Sequence, residues 1–513
     1  VSAETLPALL ARNTAERGRQ EAVVDQEARI DHAGLDRSSA ECAAWLVARG
    51  VNRHHRVGLL MGNGVDWVVI ACAVMRIGAT LVPLSTLLRP NELADQLAVA
   101  GVRHLVAASA FRGRDYRAEI GGLDRVALPS LRNVWWRDEL EAGTDIDAEL
   151  ARAMEARVTP ADDLVVIFTS GSSGSPRGVV HSQGGAIRQT AAGLAARCVR
   201  AGTRLYLPMP LFWVGGFGGG LISALVAGAT LLTEAEPEPG RTLAFLARER
   251  ATLFRGWPDQ ASRIAAHQDF ARTDLSALSP GSLDALLPLP LQAEPGRRAN
   301  LFGMTETFGP FCGYPLDREL PDDKRDSCGQ AFAGINLRIV DAETGALLEP
   351  GDTGRIQIGG NNVLRAICGH EREDVFTPDG WFDGGDLGRL DDDGFLFFSG
   401  RADDMIKVRG ASVYPSEVER ALEAIQGVSR AFATAIDEAG ETLVGVAVVF
   451  DPDASLSHDR LAKLAKAQLS AFKLPRRWLL VPSIERLPHT SSGKIDRRAL
   501  RARLEAADTE QAK

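Results

Sequence analysis

Between residues 57 and 107 the chain alternates short apolar runs with longer amphipathic ones, and this alternation limits the fold most. Val57 to Met61, Thr80 to Pro83 and Val102 to Ala107 read as buried strands, with helices over Asp66 to Ile77 and Pro90 to Ala100 between them. Parallel strands cannot be joined by tight turns, so a helix must carry the chain back across the sheet. The pattern returns later, as helix 185–196, strand 205–209, helix 221–227 and strand 230–233. Ahead of it lie helices over 4–18 and 35–50 flanking a short hairpin at 22–24 and 29–30, while 110–160 is weakly patterned and reads as peripheral. From about Arg338 short alternating strands take over, with turns at Thr344-Gly345, Pro350-Gly351 and Asp393-Gly394. A charged connector, Ala402-Asp403-Asp404, precedes a last stretch with helices over 415–424 and 458–469 and strands over 430–435 and 442–450. The expectation is a large α/β N-terminal domain, 1–402, of two α/β subdomains plus a β-rich one, and a small α+β C-terminal domain, 403–513.

Composition removes several classes. A chain of 513 residues exceeds one ordinary core. A net charge of −9 argues against a nucleic-acid partner. Six cysteines without a C-x-x-C pair and nine histidines without metal spacing read as reduced thiols and no structural metal. The longest apolar run, Trp67 to Met75, is too short to span a bilayer, and no signal peptide precedes the first helix, so a cytoplasmic protein is expected.

One segment interrupts the strand–helix pattern. The apolar run Leu164 to Phe168 passes into Thr169-Ser170-Gly171-Ser172-Ser173-Gly174-Ser175-Pro176-Arg177-Gly178. Glycines let peptide N–H groups approach an anion closely, and the hydroxyls and Arg177 add donors and charge. It does not fit the Walker A pattern. Read alone, it is either a phosphate cradle or a flexible Gly/Ser loop. Four further stretches accompany it: Phe302-Gly303-Met304-Thr305-Glu306, Gly384-Gly385-Asp386, Gly400-Arg401 through Gly410, and Ser491-Ser492-Gly493-Lys494.

In that order these motifs resemble the acyl-adenylate-forming superfamily: acyl-CoA synthetases, aryl-CoA ligases, luciferases and the adenylation domains of peptide synthetases. The resemblance covers nearly the whole chain. It implies a small C-terminal domain that moves, and two half-reactions, in which a carboxylate attacks the α-phosphate of ATP and a thiol, usually that of coenzyme A, then displaces AMP. It further implies that Thr169, Ser170, Gly171, Ser172, Ser173, Gly174 and Arg177 hold the phosphates. Glu306 would bind Mg²⁺, Thr305 the α-phosphate, Phe302 would lie against the adenine together with Gly281, Ser282 and Leu283, and Gly303 and Met304 would belong to the same nucleotide site. Asp386 and Arg401 would contact the ribose. Lys494 would bridge the carboxylate and the α-phosphate, Asp403 would be the hinge, and Gly410 would line the thiol tunnel.

The sequence departs from that family in three places. Arg177 replaces the usual lysine, and its planar fork is not equivalent to an ammonium. Trp213, in Pro210-Leu211-Phe212-Trp213, replaces a common histidine. The segment Pro280-Gly281-Ser282-Leu283-Asp284 stands where a Gly-Ala-Pro stretch is usual, in a shortened region. Trp213, Gly216, Phe217, Trp257 and Phe308 are candidates for an apolar acyl pocket. No buried cation for a second carboxylate is apparent, so a fatty, alicyclic or aromatic monocarboxylic acid is expected as the small-molecule substrate. An acyl- or aryl-AMP ligase that loads an acyl carrier protein is the alternative; the absence of an insertion between Gly329 and Gly354 favours coenzyme A. A non-catalytic nucleotide-binding relative is a third reading, opposed by Lys494, Glu306, Asp386 and Arg401. A monomer or homodimer is expected.

Overall fold

The computed structural model describes residues 4–506, apart from 141–147, 171–175, 295, 403, 405, 409–410, 439–440, 452–453, 455, 470–472 and 491–493. The chain divides into two compact units. One comprises 1–337, 358–382 and 394–396, the other 338–357, 383–393 and 397–513.

Two sheets frame the first unit. The larger has seven strands, ordered Ala366–Ile367, Pro176–Ser182, Asp163–Ser170, Thr80–Pro83, Arg56–Leu60, His104–Ala107 and Asn133–Trp136. From Asp163–Ser170 to Asn133–Trp136 neighbours pair in parallel, as the alternation required. Asn133–Trp136 is an edge strand within the segment expected to be peripheral. The smaller sheet has five strands, ordered Leu253–Phe254, Arg204–Tyr206, Thr230–Leu232, Glu21–Val24 and Arg29–Asp31. The early hairpin is therefore not a local feature: Glu21–Val24 pairs in parallel with Thr230–Leu232, some 200 residues later.

One apolar core serves both sheets, joining Val57, Leu81 and Val165 to Val23, Leu205 and Leu231. The helix Val65–Arg76 is apolar on nearly every face because it is covered on nearly every face. Its last residue, Arg76, is buried but compensated, since Asp36 lies at 3.0 Å and Glu155 at 2.9 Å. Its neighbour His32–Ala48 begins where the Asp31 carboxylate accepts the Gly34 N–H at 2.6 Å.

The glycine run after Trp213 differs from the sequence expectation. It does not precede a helix but lies within one, with Phe217–Ile222 in π geometry and Ser223–Ala227 in α. A β-carbon at Gly216 would stand 2.1 Å from the Pro210 carbonyl oxygen, and one at Gly220 2.8 Å from Leu207. Close approach, rather than a turn, demands glycine at 216 and 220.

In the second unit a core of its own runs from Ile406 to Leu504. Val428–Glu438 and Glu441–Phe450 pair antiparallel, and Arg477–Val481 adds in parallel. Helices Pro415–Glu423, His458–Gln468 and Arg497–Ala506 accompany this sheet.

Candidate active site

Asp163–Ser170 and Pro176–Ser182 form a hairpin in which Thr169 faces Arg177 and Phe168 faces Gly178. Thr169, Ser170, Arg177 and Gly178 are thus strand residues, whereas the sequence had placed all ten residues from 169 to 178 in a loop. Gly171, Ser172, Ser173 and Gly174 lie outside the described residues. Gly178 must be glycine, since a β-carbon would stand 2.9 Å from Val166 and 3.1 Å from Cys368 Sγ. The Arg177 guanidinium makes no ion pair among the described residues, and its Nε is buried without a partner.

A second hairpin carries the next motif. Phe302–Met304 pairs antiparallel with Gly309–Gly313, and Thr305–Thr307 turns between them in a 3₁₀ helix. Phe308 closes the turn with φ +56°, an unusual conformation for an aromatic residue. Gly303 allows the close pairing, because a β-carbon there would lie 2.4 Å from the Gly309 carbonyl.

His181 ties the two hairpins together. It lies on the strand that leaves the Gly/Ser segment, and its Nε2 donates to the Thr305 carbonyl at 2.7 Å. Burial pushes this imidazole down to about 4, so it is neutral at pH 7. The Leu364 N–H is donated to the Glu306 carbonyl at 2.7 Å. The backbone of Thr305 and Glu306 is thereby fixed, while the half-buried Glu306 carboxylate has no partner among the described residues. Sequence reasoning missed His181; its one signal was a lone histidine in the apolar run Val179-Val180-His181.

Gly281, Ser282 and Leu283 are stitched to the strand Leu253–Phe254. The Ser282 hydroxyl accepts the Phe254 N–H at 3.1 Å, and the Leu283 N–H is donated to the Phe254 carbonyl at 3.2 Å. Gly281 has φ +97° and packs against Cys198.

The five acyl-pocket candidates fall into two groups. Trp213 and Trp257 meet edge-on, with centroids 5.7 Å apart, in a cavity of about 200 Å³ that also takes in Asn63, Phe111 and Gln260. Phe217 and Phe308 are enclosed in an aromatic column that runs from Trp67 to His181. Gly216 is buried in the same helix as Phe217.

In the second unit Asp386, on Phe382–Leu390, and Arg401, ending Leu396–Arg401, stand side by side. Arg401 Nη1 donates to the nearly enclosed Asp386 carboxylate at 3.2 Å and to the Gly384 carbonyl at 2.7 Å. Lys494 is exposed; its carbonyl accepts the Thr490 N–H at 2.7 Å, which closes a turn, and its ammonium makes no ion pair among the described residues. Asp403 and Gly410 lie outside the described residues.

The frame is a largely parallel α/β sheet, an architecture that binds ligands beyond the ends of its strands. The family profile of AMP-binding enzymes matches residues 10–367, and that of the AMP-binding enzyme C-terminal domain matches 417–494. A (7a-methyl-1,5-dioxo-octahydro-1H-inden-4-yl)propanoyl:CoA ligase of Mycobacterium tuberculosis is 30% identical over 520 residues, covering 97% of this chain and 98% of that protein. An indoleacetate–CoA ligase of Aromatoleum aromaticum is 30% identical over 469 residues, covering 88% and 89%. Among solved structures, ATP-bound MatB from Rhodopseudomonas palustris shares the fold, with a TM-score of 0.80 at 23% identity over 97% of this chain and 99% of that one. The chain belongs to the AMP-binding enzyme family.

Proposed function

We infer that the chain is an AMP-forming acid–CoA ligase. The substrate carboxylate attacks the α-phosphorus of ATP; the new O–P bond replaces the bond to the β-phosphate, and pyrophosphate leaves. The coenzyme A thiolate then attacks the acyl carbon and expels AMP. The structural observation behind this reading is the Thr305–Glu306 turn, pinned by its carbonyls and open at its side chains. Glu306 suits Mg²⁺, a hard cation that takes one or two carboxylates and completes its shell with phosphate oxygens. The ion, when bound, neutralises charge on the phosphates. Thr169, Ser170, Arg177 and the 171–174 segment are the proposed phosphate donors. Asp386 and Arg401 are the proposed ribose contacts, since a carboxylate accepts from vicinal hydroxyls and a guanidinium donates. Lys494 offers a cation where two anions must meet, which stabilises the transition state most. Asp403 is the proposed hinge and Gly410 the proposed lining of the thiol tunnel.

The acceptor is coenzyme A rather than a carrier protein: the relatives matched along nearly the whole chain are CoA ligases. The test is a pyrophosphate- and AMP-release screen over a panel of carboxylic acids, with coenzyme A present and absent. AMP release that requires both acid and coenzyme A is expected. Release indifferent to coenzyme A would return the carrier-protein reading.

A further inference from the structure

The sequence showed no cation for a second polar group on the acid, but the fold creates one. Arg197 follows the helix Gln183–Gly193 and is 8% exposed. Its Nε donates to the Gly193 carbonyl at 3.2 Å and its Nη2 to the Thr190 carbonyl at 2.8 Å. These bonds cap the helix and account for two of its three nitrogens. Nη1 has no partner among the described residues. It points toward Gly219, where a β-carbon would lie 4.0 Å away. Gly219 is partly exposed, while Gly218 and Gly220 beside it are buried, so this one face of the glycine helix is open. Gly218 on the same helix abuts Phe308, next to the Thr305–Glu306 turn.

A second guanidinium stands nearby. Arg255 follows the strand Leu253–Phe254, and its Nη1 donates to the Gly281 carbonyl at 2.8 Å. No described carboxylate pairs with Arg197 or Arg255. The carboxylate that acts on Arg255 is Asp284, which Arg298 already holds at 2.8 Å. Burial and mutual repulsion hold the Arg197 guanidinium down to about 10, still charged at pH 7. The Thr190 hydroxyl is also buried, without a partner among the described residues. Arg197 is buried with backbone carbonyls as its partners among the described residues, and the half-buried Arg255 has the Gly281 carbonyl; a cation so placed gains from an acceptor that reaches its remaining nitrogen.

We propose that Arg197, supported by Arg255, recognises an oxygen acceptor at the far end of the acid: a ring carbonyl or a second carboxylate, remote from the carboxyl that is activated. This rests on the ligase reading and names its substrate class. A hydrocarbon acid would leave Nη1 desolvated and unpaired, and a site built to bond an oxygen rejects analogues that lack it.

The test uses three acids on one carbon skeleton: the plain hydrocarbon acid, its ring-keto form and its dicarboxylic form. Binding to the full chain is read by calorimetry, and turnover by ATP–pyrophosphate exchange. At least one oxygenated acid should bind about tenfold or more tightly than the hydrocarbon acid, as a charge-assisted hydrogen bond gives. The keto and dicarboxylic arms identify which oxygen is read. Arg197→Met should erase the preference and Arg197→Lys restore part of it; Arg255→Met decides if the Arg197 variants do not fold. Equal or tighter binding of the hydrocarbon acid, or a preference that survives in folded Arg197→Met, would overturn the proposal. If no acid supports exchange the ligase reading falls, while the calorimetric order still decides this one.

Discussion

His181, His32 and His104 are all enclosed, and burial holds each down to about 4. The unfolded value is about 6.5, so between these limits the unfolded chain binds more protons than the folded one. Their stabilising contribution is complete above pH 6.5 and is lost as pH falls toward 4. The melting temperature should therefore drop steeply across that window, and less so in His181→Gln. That variant should also cost about 1–3 kcal/mol, since a buried hydrogen bond is lost, and slow ATP–pyrophosphate exchange by loosening Thr305. Lys494→Ala should reduce exchange by roughly 10²–10³, the usual cost of one transition-state contact. Thioester formation from supplied acyl-AMP should be spared. Unchanged exchange would remove Lys494 from the mechanism.

The hairpin of residues 302–313 leaves no room for a side chain at Gly303. Gly303→Ala places a methyl 2.4 Å from a neighbouring carbonyl, so the strands must part. A loss of roughly 1–3 kcal/mol by denaturant unfolding is expected, as overpacking commonly brings, with exchange falling further than stability alone explains. Elements of this molecule were legible in unequal degree. The strands Thr80–Pro83 and Arg56–Leu60 and the helix Val65–Arg76 could be read from periodicity, because each is a short apolar segment buried for local reasons. The glycine helix could not, since its glycines answer to Pro210, Leu207 and Phe308, which only the tertiary fold brings near. Arg197 was hidden for the same reason: its surroundings come from residues 190–193 and 219 together. The motifs assigned Asp386 and Arg401 to one ribose but not to each other; their 3.2 Å contact is seen only in the structure.

At the scale of the molecule the chain passes repeatedly between its two units, at 337, 357, 382, 393 and 396. The apolar core from Ile406 to Leu504 nevertheless lies wholly C-terminal of 402. A fragment of residues 403–513 should fold alone, with a cooperative thermal transition by circular dichroism and dispersed amide resonances. A molten or unfolded fragment would refute a domain boundary at 402. The proposed division of labour makes one further expectation. Gly410→Leu should leave exchange largely intact and impair thioester formation, and equal loss of both would deny Gly410 its tunnel role.

The Trp213–Trp257 pair also has an optical consequence. Two indoles with centroids 5.7 Å apart, one of them 36% exposed, should exchange excitation and emit to the red while their cavity holds water. An apolar ligand entering their shared cavity displaces that water and shifts the emission to the blue. The chain thus carries its own unlabelled reporter of occupancy, with Trp257→Phe as the blank against its eight tryptophans.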